Sequence, residues 1–389
     1  MISVNEAFSI LNDITFSQKE KEVALGNARN YVLSETILSL INMPPFRQSN
    51  MDGYALCIHE SLSYTVIGEI KAGDVFEATL QPGQAVKIFT GAAVPDSAQA
   101  VIQIEKVTLN GNQLKLQESI KAETNVRRLG SQILKNEVAL EKGSFLNAAA
   151  IGFLAGLGFN KVKVYQKSTI GILITGNELM QAGQPLTAGK VYESNAIMLQ
   201  TALLNANYNE VNLFQTNDDL ENTKNILKKA IDENDLVLVS GGISVGDYDF
   251  VGEALESLKV ETLFYKVNQK PGKPLFAGKT EDKMIFALPG NPAASLTCFY
   301  IYVLPTLNKM SGMNASYTTN YSLELADDYE VTNSRDQFLK AFIYGNEVTI
   351  LDHQDSSMLD SFAKANALVY LPNGNYLKSK GDKVAVYQL

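Results

Sequence analysis

Leu236-Val237-Leu238-Val239-Ser240-Gly241-Gly242-Ile243-Ser244-Val245-Gly246-Asp247-Tyr248-Asp249 carries an unbroken apolar run straight into a glycine-bearing polar loop, and Phe250 to Leu258 then reads as a helix. The same pattern stands on either side of it. Thr169-Ile170-Gly171-Ile172-Leu173-Ile174 runs into Thr175-Gly176-Asn177-Glu178, and Met284-Ile285-Phe286-Ala287-Leu288 runs into Pro289-Gly290-Asn291-Pro292, each with a helical pattern expected next. Continuous apolar runs suit strands buried on both faces of a parallel sheet. Such sheets bind ligands beyond the carboxyl ends of their strands. The three loops are therefore expected to meet at one crevice.

Working outward, residues 3–41 read as helical. Val4, Ala7, Phe8 and Leu11 share a face, and Ala28, Val32, Ile37 and Leu40 continue it after Gly26 until Pro44-Pro45 stops it. From Met51 to Thr124 short β segments take over, with Asn110-Gly111 as a hairpin turn. Ala148 to Leu154 is a helix core, Ser311 to Asn314 a linker, and Tyr317 to Leu389 a short β-barrel or sandwich. The expected domains are 1–45 plus 125–165 (helical and linker), 46–124 (inserted β), 166–310 (α/β) and 315–389 (C-terminal β-barrel).

A chain of 389 residues is too long for one ordinary core, and 46% apolar with 19% charged residues is the balance of a folded protein. A net charge of −9 argues against nucleic-acid binding, so any anionic ligand must be held by local lysines and backbone amides. The N-terminus lacks a signal-peptide pattern, and the longest apolar stretch, about 12 residues, falls short of the roughly 20 that span a bilayer. A cytoplasmic protein with no membrane partner is expected. Two cysteines, Cys57 and Cys298, make no disulfide framework. His59 and His353 stand apart, which disfavours zinc and histidine-based nucleophilic catalysis. Carboxylates, lysines and backbone amides remain.

In the second loop, Ser240-Gly241-Gly242 lets backbone approach a ligand. Asp249 reads either as a helix N-cap or as a magnesium ligand. Pro292 with Asn291 at the cap signals a helix start whose free amides suit an anion. Lys270 and Lys273, on the proline-stiffened turn Gln269 to Pro274, read as an oxyanion clamp or as a solvated turn. Glu178 reads as a metal or hydroxyl ligand, or as an acid on a first helical turn. Tyr192 to Asn195 reads first as a cap for a helix beginning near Ala196. Arg47 to Ala55 and Phe89 to Pro95 are polar turns that no spacing argument brings to the crevice.

Seven segments in one order resemble the MoeA family, the molybdopterin molybdenumtransferases, also found as the C-terminal domain of gephyrin. They are Ser49 to Ala55, Thr90 to Pro95, Asn125-Val126-Arg127, Thr175 to Leu179, Ser240 to Asp249, Lys270 to Pro274 and Leu288 to Pro292, and they cover nearly the whole chain. The resemblance implies an α/β multidomain fold: a three-layer molybdopterin-binding α/β domain, a helical N-terminal segment, an inserted β domain and a C-terminal β domain. It also implies magnesium-dependent insertion of molybdate into adenylylated molybdopterin, with release of AMP.

By the same resemblance Asp249, Glu178 and Asp218 match acidic, metal-binding positions, and Lys270 and Lys273 match lysines of the site. Asp52 and Thr90 match positions that reach the site from the second subunit of a homodimer. Thr90, Gly91, Thr175, Gly176, Ser240, Gly241, Gly242, Ser244, Pro289, Gly290, Asn291 and Pro292 are the expected substrate-binding residues. Other molybdenum-cofactor biosynthesis proteins are possible partners. Two positions depart from the pattern: Gly130-Ser131-Gln132 stands where the family has Gly-Glu-Asp, and Ala293-Ala294-Ser295 follows loop three where the family often has valine and serine first. Two alternatives share the fold: adenylylation of molybdopterin, as in MogA-type proteins, and a gephyrin-like scaffold without activity. The additional β domains weigh against the first, and the retained acids and lysines against the second.

Overall fold

The computed structural model describes residues 1–217, 219–242, 250–319 and 321–389. Asp218, Ser244 and Asp249 lie outside the described residues. The chain divides into two compact units: 22–29 with 33–164, and 1–21 with 30–32 and 165–389.

In the larger unit the three apolar runs are the strands Ile170–Thr175, Leu236–Ser240 and Lys283–Leu288. They lie parallel and adjacent, with Ile172 opposite Leu238 and Leu238 opposite Phe286. Val211–Thr216 adds a parallel strand on one side, while Phe276–Thr280 and Glu261–Tyr265 add an antiparallel pair on the other, making six strands. Alternation explains why the central runs are apolar throughout. Ile172, Leu238 and Phe286 face one core with Leu199 and Leu203 of the Asn195–Asn205 helix. Leu173, Val237, Val239 and Ile285 face the other with Leu227 and Ile231 of the Leu220–Glu233 helix. Each fully buried side chain of this size contributes about 1.5–3 kcal/mol. The result is a three-layer α/β domain.

The second and third strands lead to helices as expected, Phe250–Ser257 and Pro292–Cys298. The first does not. Glu178 sits on a turn before a two-residue strand, Leu179–Met180, which pairs with Val191–Tyr192. Gly183 and Gly189, at φ of 90° and 78°, and Pro185 between them deny that segment a helix.

The long N-terminal helix is also corrected. Only Val4–Asp13 is α-helical, closed by a capping box in which Ser3 and Glu6 satisfy each other's backbone amides. Glu20–Ala24 is a strand and Ile37–Leu38 a short strand paired with Val138–Leu140. Asn30 takes a left-handed φ of 63°, which breaks the helical pattern its neighbours suggest.

The C-terminal part is a six-stranded sheet in which Asp336–Tyr344 pairs with both Glu347–Ile350 and Ala367–Leu371, closing the sheet around Leu339, Val369 and Val386. Its edge strand is Gln269–Lys270, lent by the α/β region and parallel to Asp336–Tyr344. The smaller unit holds a six-stranded sheet with the expected hairpin, Val107–Asn110 to Gln113–Leu116, turning at Gly111 with φ of 62°. It also contains the helix Ala148–Gly156. Among the described residues no helix is long and apolar enough to cross a membrane.

Candidate active site

The three parallel strands end together in a cleft of about 810 Å³, lined by Thr175, by Ser240 to Gly242 and by Pro289 to Pro292. Backbone comes close here because glycine permits it. Gly241 has φ of 92°, and a Cβ there would lie 2.6 Å from the Thr175 carbonyl oxygen. Asn195, read from sequence only as part of a cap, ties two of the loops together. Its Nδ2 donates to Ser240 Oγ and to the Gly290 carbonyl, both at 2.8 Å. Its Oδ1 is buried with no hydrogen-bond partner among the described residues. The capping expected from this segment comes from Glu193, which accepts from the Ala196 amide at 2.8 Å.

The lysine turn lines the same cleft through Lys270 and Lys273. It is anchored from beneath by Gln269, which is fully buried. Gly272, at φ of 88°, lies over Cys298, where a Cβ would come within 2.5 Å of the sulfur. Burial pushes the Cys298 thiol up to about 12, so it packs as a hydrophobe and stays protonated. Neither lysine has an ion-pair partner among the described residues. Two ammonium groups on one turn suit an anion, although the same lining also carries Glu178, Glu193 and Asp355.

Arg335, Asp355, Ser356 and Ser357, from the C-terminal sheet region, complete the lining. None was read from the sequence as functional. Arg335 donates to the Gln269 carbonyl at 3.4 Å, and Asn291, whose side chain does not cap its helix, donates to Ser356 Oγ at 2.7 Å. The Ser356 carbonyl accepts from the Ala294 amide at 3.0 Å. Lys340 secures this loop from behind, donating to the carbonyls of His353, Asp355 (3.3 Å) and Met358 (3.0 Å). The polar run His353 to Ser357 between two strands was the available signal, and nothing local marks it as part of a distant cleft.

Glu178 lies exposed at the cleft, its carboxylate folded back over Gly176, where a Cβ would meet Oε2 at 2.8 Å. Glu178 and Asp355 are carboxylates of the lining without a backbone cap, and Ser240 and Ser356 add hydroxyls. Hard oxygen donors in an open cleft fit magnesium, which keeps several waters and is held by one or two carboxylates plus substrate phosphates. No group of three acidic, histidine or cysteine residues clusters among the described residues.

Asp52, Thr90 and Gly91 belong to the other unit, where they form a constellation of their own. The Thr90 amide and hydroxyl donate to Asp52 Oδ1 at 2.7 and 2.9 Å. The Gly91 amide donates to the Ser49 carbonyl, and the Asn50 amide to the Asn125 carbonyl. Arg127 donates to Asn50 Oδ1 at 2.9 Å. Three motifs separated in sequence thus converge. Ser131 and Gln132, the departure noted in the sequence, are exposed on a turn held through backbone by Gly130 to Pro44 and Gln132 to Met43.

Family comparisons agree with this geometry. Residues 2–158 match the MoeA N-terminal region (domains I and II), 171–309 a probable molybdopterin binding domain, and 322–389 the MoeA C-terminal region (domain IV). The chain is 32% identical to a molybdopterin molybdenumtransferase of Staphylococcus epidermidis, over 99% of this chain and 95% of the relative. It is 33% identical to one of Haemophilus influenzae, over 99% and 98%. The crystal structure of a molybdopterin biosynthesis MoeA protein from Pyrococcus horikoshii OT3 superposes with a TM-score of 0.85 at 29% identity, covering all of both chains. With the strand-end cleft, its lysine turn and the Asp52–Thr90 constellation in place, these likenesses make the chain a member of the MoeA family, the molybdopterin molybdenumtransferases of molybdenum cofactor biosynthesis.

Proposed function

We propose that the cleft takes adenylylated molybdopterin and molybdate, inserts molybdenum into the dithiolene and releases AMP. The observation that carries this reading is the convergence of Lys270, Lys273 and Arg335 on glycine-bearing strand-end loops in an otherwise acidic chain. The two substrates are anionic, and fixed cations with backbone amides attract them without reorganising during reaction. Lys270 and Lys273, held on a short turn, orient the oxyanion. Arg335 adds a planar donor set suited to a tetrahedral oxyanion or a phosphate.

Glu178, together with Asp249 and Asp218, would hold magnesium. When bound, the ion neutralises phosphate charge and polarises the phosphoryl oxygen. A water or molybdate oxygen attacks phosphorus, the pyrophosphate P–O bond breaks, and AMP leaves with the electron pair. No covalent protein nucleophile is needed, consistent with the inert Cys298, and neither histidine is among the residues that line the cleft. Ser240, Gly241 and Gly242 with Pro289 to Pro292 bound the substrate, and Asn195 holds two of these loops together.

The protein acts as a cytoplasmic homodimer in this reading, with Asp52, Thr90 and Gly91 supplied to the cleft by the second subunit. The smaller unit leaves Leu38, Leu40, Ile41, Phe46, Leu129 and Leu134 exposed, a set of apolar side chains suited to a partner surface. In the four-part division at 1–45 plus 125–165, 46–124, 166–310 and 315–389, the boundaries near 165 and 310 lie close to edges of the matched family regions at 158, 171, 309 and 322.

The test is incubation with adenylylated molybdopterin and magnesium, with and without molybdate, beside an Asp249→Ala control. Molybdate-dependent AMP release absent from the control supports the reading. Binding of the adenylylated substrate without turnover favours a scaffold, and formation of adenylylated molybdopterin from ATP favours the adenylyltransferase.

A further inference from the structure

Lys270, Lys273 and Arg335 have one buried residue in common. Gln269 is fully buried on the two-residue edge strand that precedes the lysine turn. Its Nε2 donates to the Pro271 carbonyl at 3.1 Å and to the Gly272 carbonyl at 3.4 Å, and lies 3.5 Å from Cys298 Sγ. Its Oε1 accepts from the hydroxyl of Tyr302, itself fully buried. Its backbone carbonyl accepts from Arg335 Nη1 at 3.4 Å. The turn is closed on its far side by the Val267 amide donating to the Lys273 carbonyl at 3.0 Å.

The arrangement needs an amide of this length. Two carbonyl oxygens of the turn face one donor, and a hydroxyl faces one acceptor. A carboxylate would set an acceptor against the Pro271 and Gly272 carbonyls. An aliphatic side chain would leave the Pro271 carbonyl and the Tyr302 hydroxyl unpaired in the interior, and the Gly272 carbonyl with only the weak Cys298 thiol donor at 3.9 Å. Gln269 does not line the cleft, whereas the residues it fixes do.

We infer that Gln269 is a positioning residue for the reaction: through its side-chain amide and its backbone carbonyl it sets where Lys270, Lys273 and Arg335 stand relative to the anionic substrate. The inference rests on the reading of the cleft as the molybdate and adenylylated-molybdopterin site. The Tyr302 hydroxyl acts one step further back, by fixing which end of the Gln269 amide meets the turn.

The experiment compares wild type, Gln269→Leu and Tyr302→Phe in AMP release, with kcat and the KM for molybdate determined separately and folding followed by circular dichroism. In folded Gln269→Leu, kcat/KM falls about a hundredfold, the loss expected from displacing a binding group by about 1 Å. Part of that loss appears as a raised KM for molybdate, because the lysines bind it before reaction, and part as a lower kcat, because they also orient it. Tyr302→Phe shifts the same KM in the same direction by a smaller factor. A purely structural role would lower the melting temperature and the active fraction and leave the KM of the folded protein at its wild-type value. Unchanged KM in folded Gln269→Leu therefore overturns the inference. Should that variant not fold, Tyr302→Phe decides by the same criterion. Wild type that fails to release AMP overturns the reading of the cleft itself, and the inference with it.

Discussion

The side-chain amide of Asn291 donates to the hydroxyl of Ser356 at 2.7 Å, joining a strand-end loop of the α/β sheet to a loop of the C-terminal sheet region. The Ala294 amide adds a backbone bond to the Ser356 carbonyl at 3.0 Å. The cleft thus has walls from sequence regions more than sixty residues apart, and these two bonds join them beside the Arg335 bond to the Gln269 carbonyl and the pairing of Gln269–Lys270 with Asp336–Tyr344. Asn291→Ala removes the first and leaves the second. A stability loss of about 0.5–1.5 kcal/mol is expected in urea denaturation. A double-mutant cycle with Ser356→Ala should show coupling, since the second substitution then costs less than it does in wild type.

Gly241 tests the close approach of backbone at the second loop. Its φ of 92° and the 2.6 Å that would separate an added Cβ from the Thr175 carbonyl oxygen both exclude a side chain. Gly241→Ala should destabilise by more than about 1 kcal/mol, since alanine at positive φ is strained even without a clash. Gly91→Ala serves as the contrast. It also has positive φ, 85°, but nothing lies within 4 Å of its Cβ position, so its cost should be the smaller in parallel urea titrations.

The fold is legible where neighbours in sequence decide it. Leu236 to Val239 and Met284 to Leu288 are apolar at every position because each residue meets a core on one face or the other, and that pattern survives without knowledge of the partner strand. Residues 28–41 mislead because apolar spacing of three and four also arises in short strands whose partners are remote. Ile37–Leu38 pairs with Val138–Leu140, about a hundred residues on, and no local signal reports that. The same limit hides Arg335 and Ser356, which line the cleft where Gln269–Lys270 joins the C-terminal sheet and where Ser356 bonds to Asn291 and Ala294. Lys270 and Lys273 are legible because prolines mark a stiff turn, whereas Gln269 has no local mark at all.

Lys340 tests the wall from behind. It is almost fully buried on its strand, and its ammonium meets the carbonyls of His353, Asp355 and Met358. Lys340→Met keeps the length and apolar stem but removes the donor. Each carbonyl keeps a second donor, the Met358 amide for Asp355 and the Ser361 hydroxyl for His353 and Met358, so the loss should be that of ordinary hydrogen bonds, about 0.5–1.5 kcal/mol. Hydrogen exchange should rise in residues 353–358 before it rises in the Ile170–Thr175 strand, because the loop loses its anchor while the sheet core is untouched. Equal rises in both would show that the lysine supports the domain as a whole.

Asp52 gives a pH dependence with a defined sign. The Thr90 amide, and then its hydroxyl, hold the Asp52 carboxyl below the usual carboxylate range. A depressed folded value means that the stabilisation is fully present above the unfolded value of about 3.9 and is lost as pH falls through the folded one. An NMR titration of the Asp52 side chain should therefore have a midpoint below that of unfolded aspartate. Thr90→Val keeps the amide donor and removes the hydroxyl, so the midpoint should rise part of the way. An unmoved midpoint would assign the whole shift to the amide.

The Asp52–Thr90 constellation and the strand-end cleft belong to different compact units, and a site shared across a homodimer makes a prediction that a site within one chain does not. Asp52→Ala and Asp249→Ala homodimers would each carry two damaged sites. In a hybrid, one site collects both substitutions and the other collects neither. With equal mixing half the dimers are hybrids and half their sites are intact, so about a quarter of the wild-type AMP release should return on subunit exchange. If both residues served the same chain's cleft, every site in the mixture would remain damaged and nothing would return. Native mass spectrometry shows whether hybrids form, and hybrids without recovered activity would place Asp52 and Asp249 in one subunit's site.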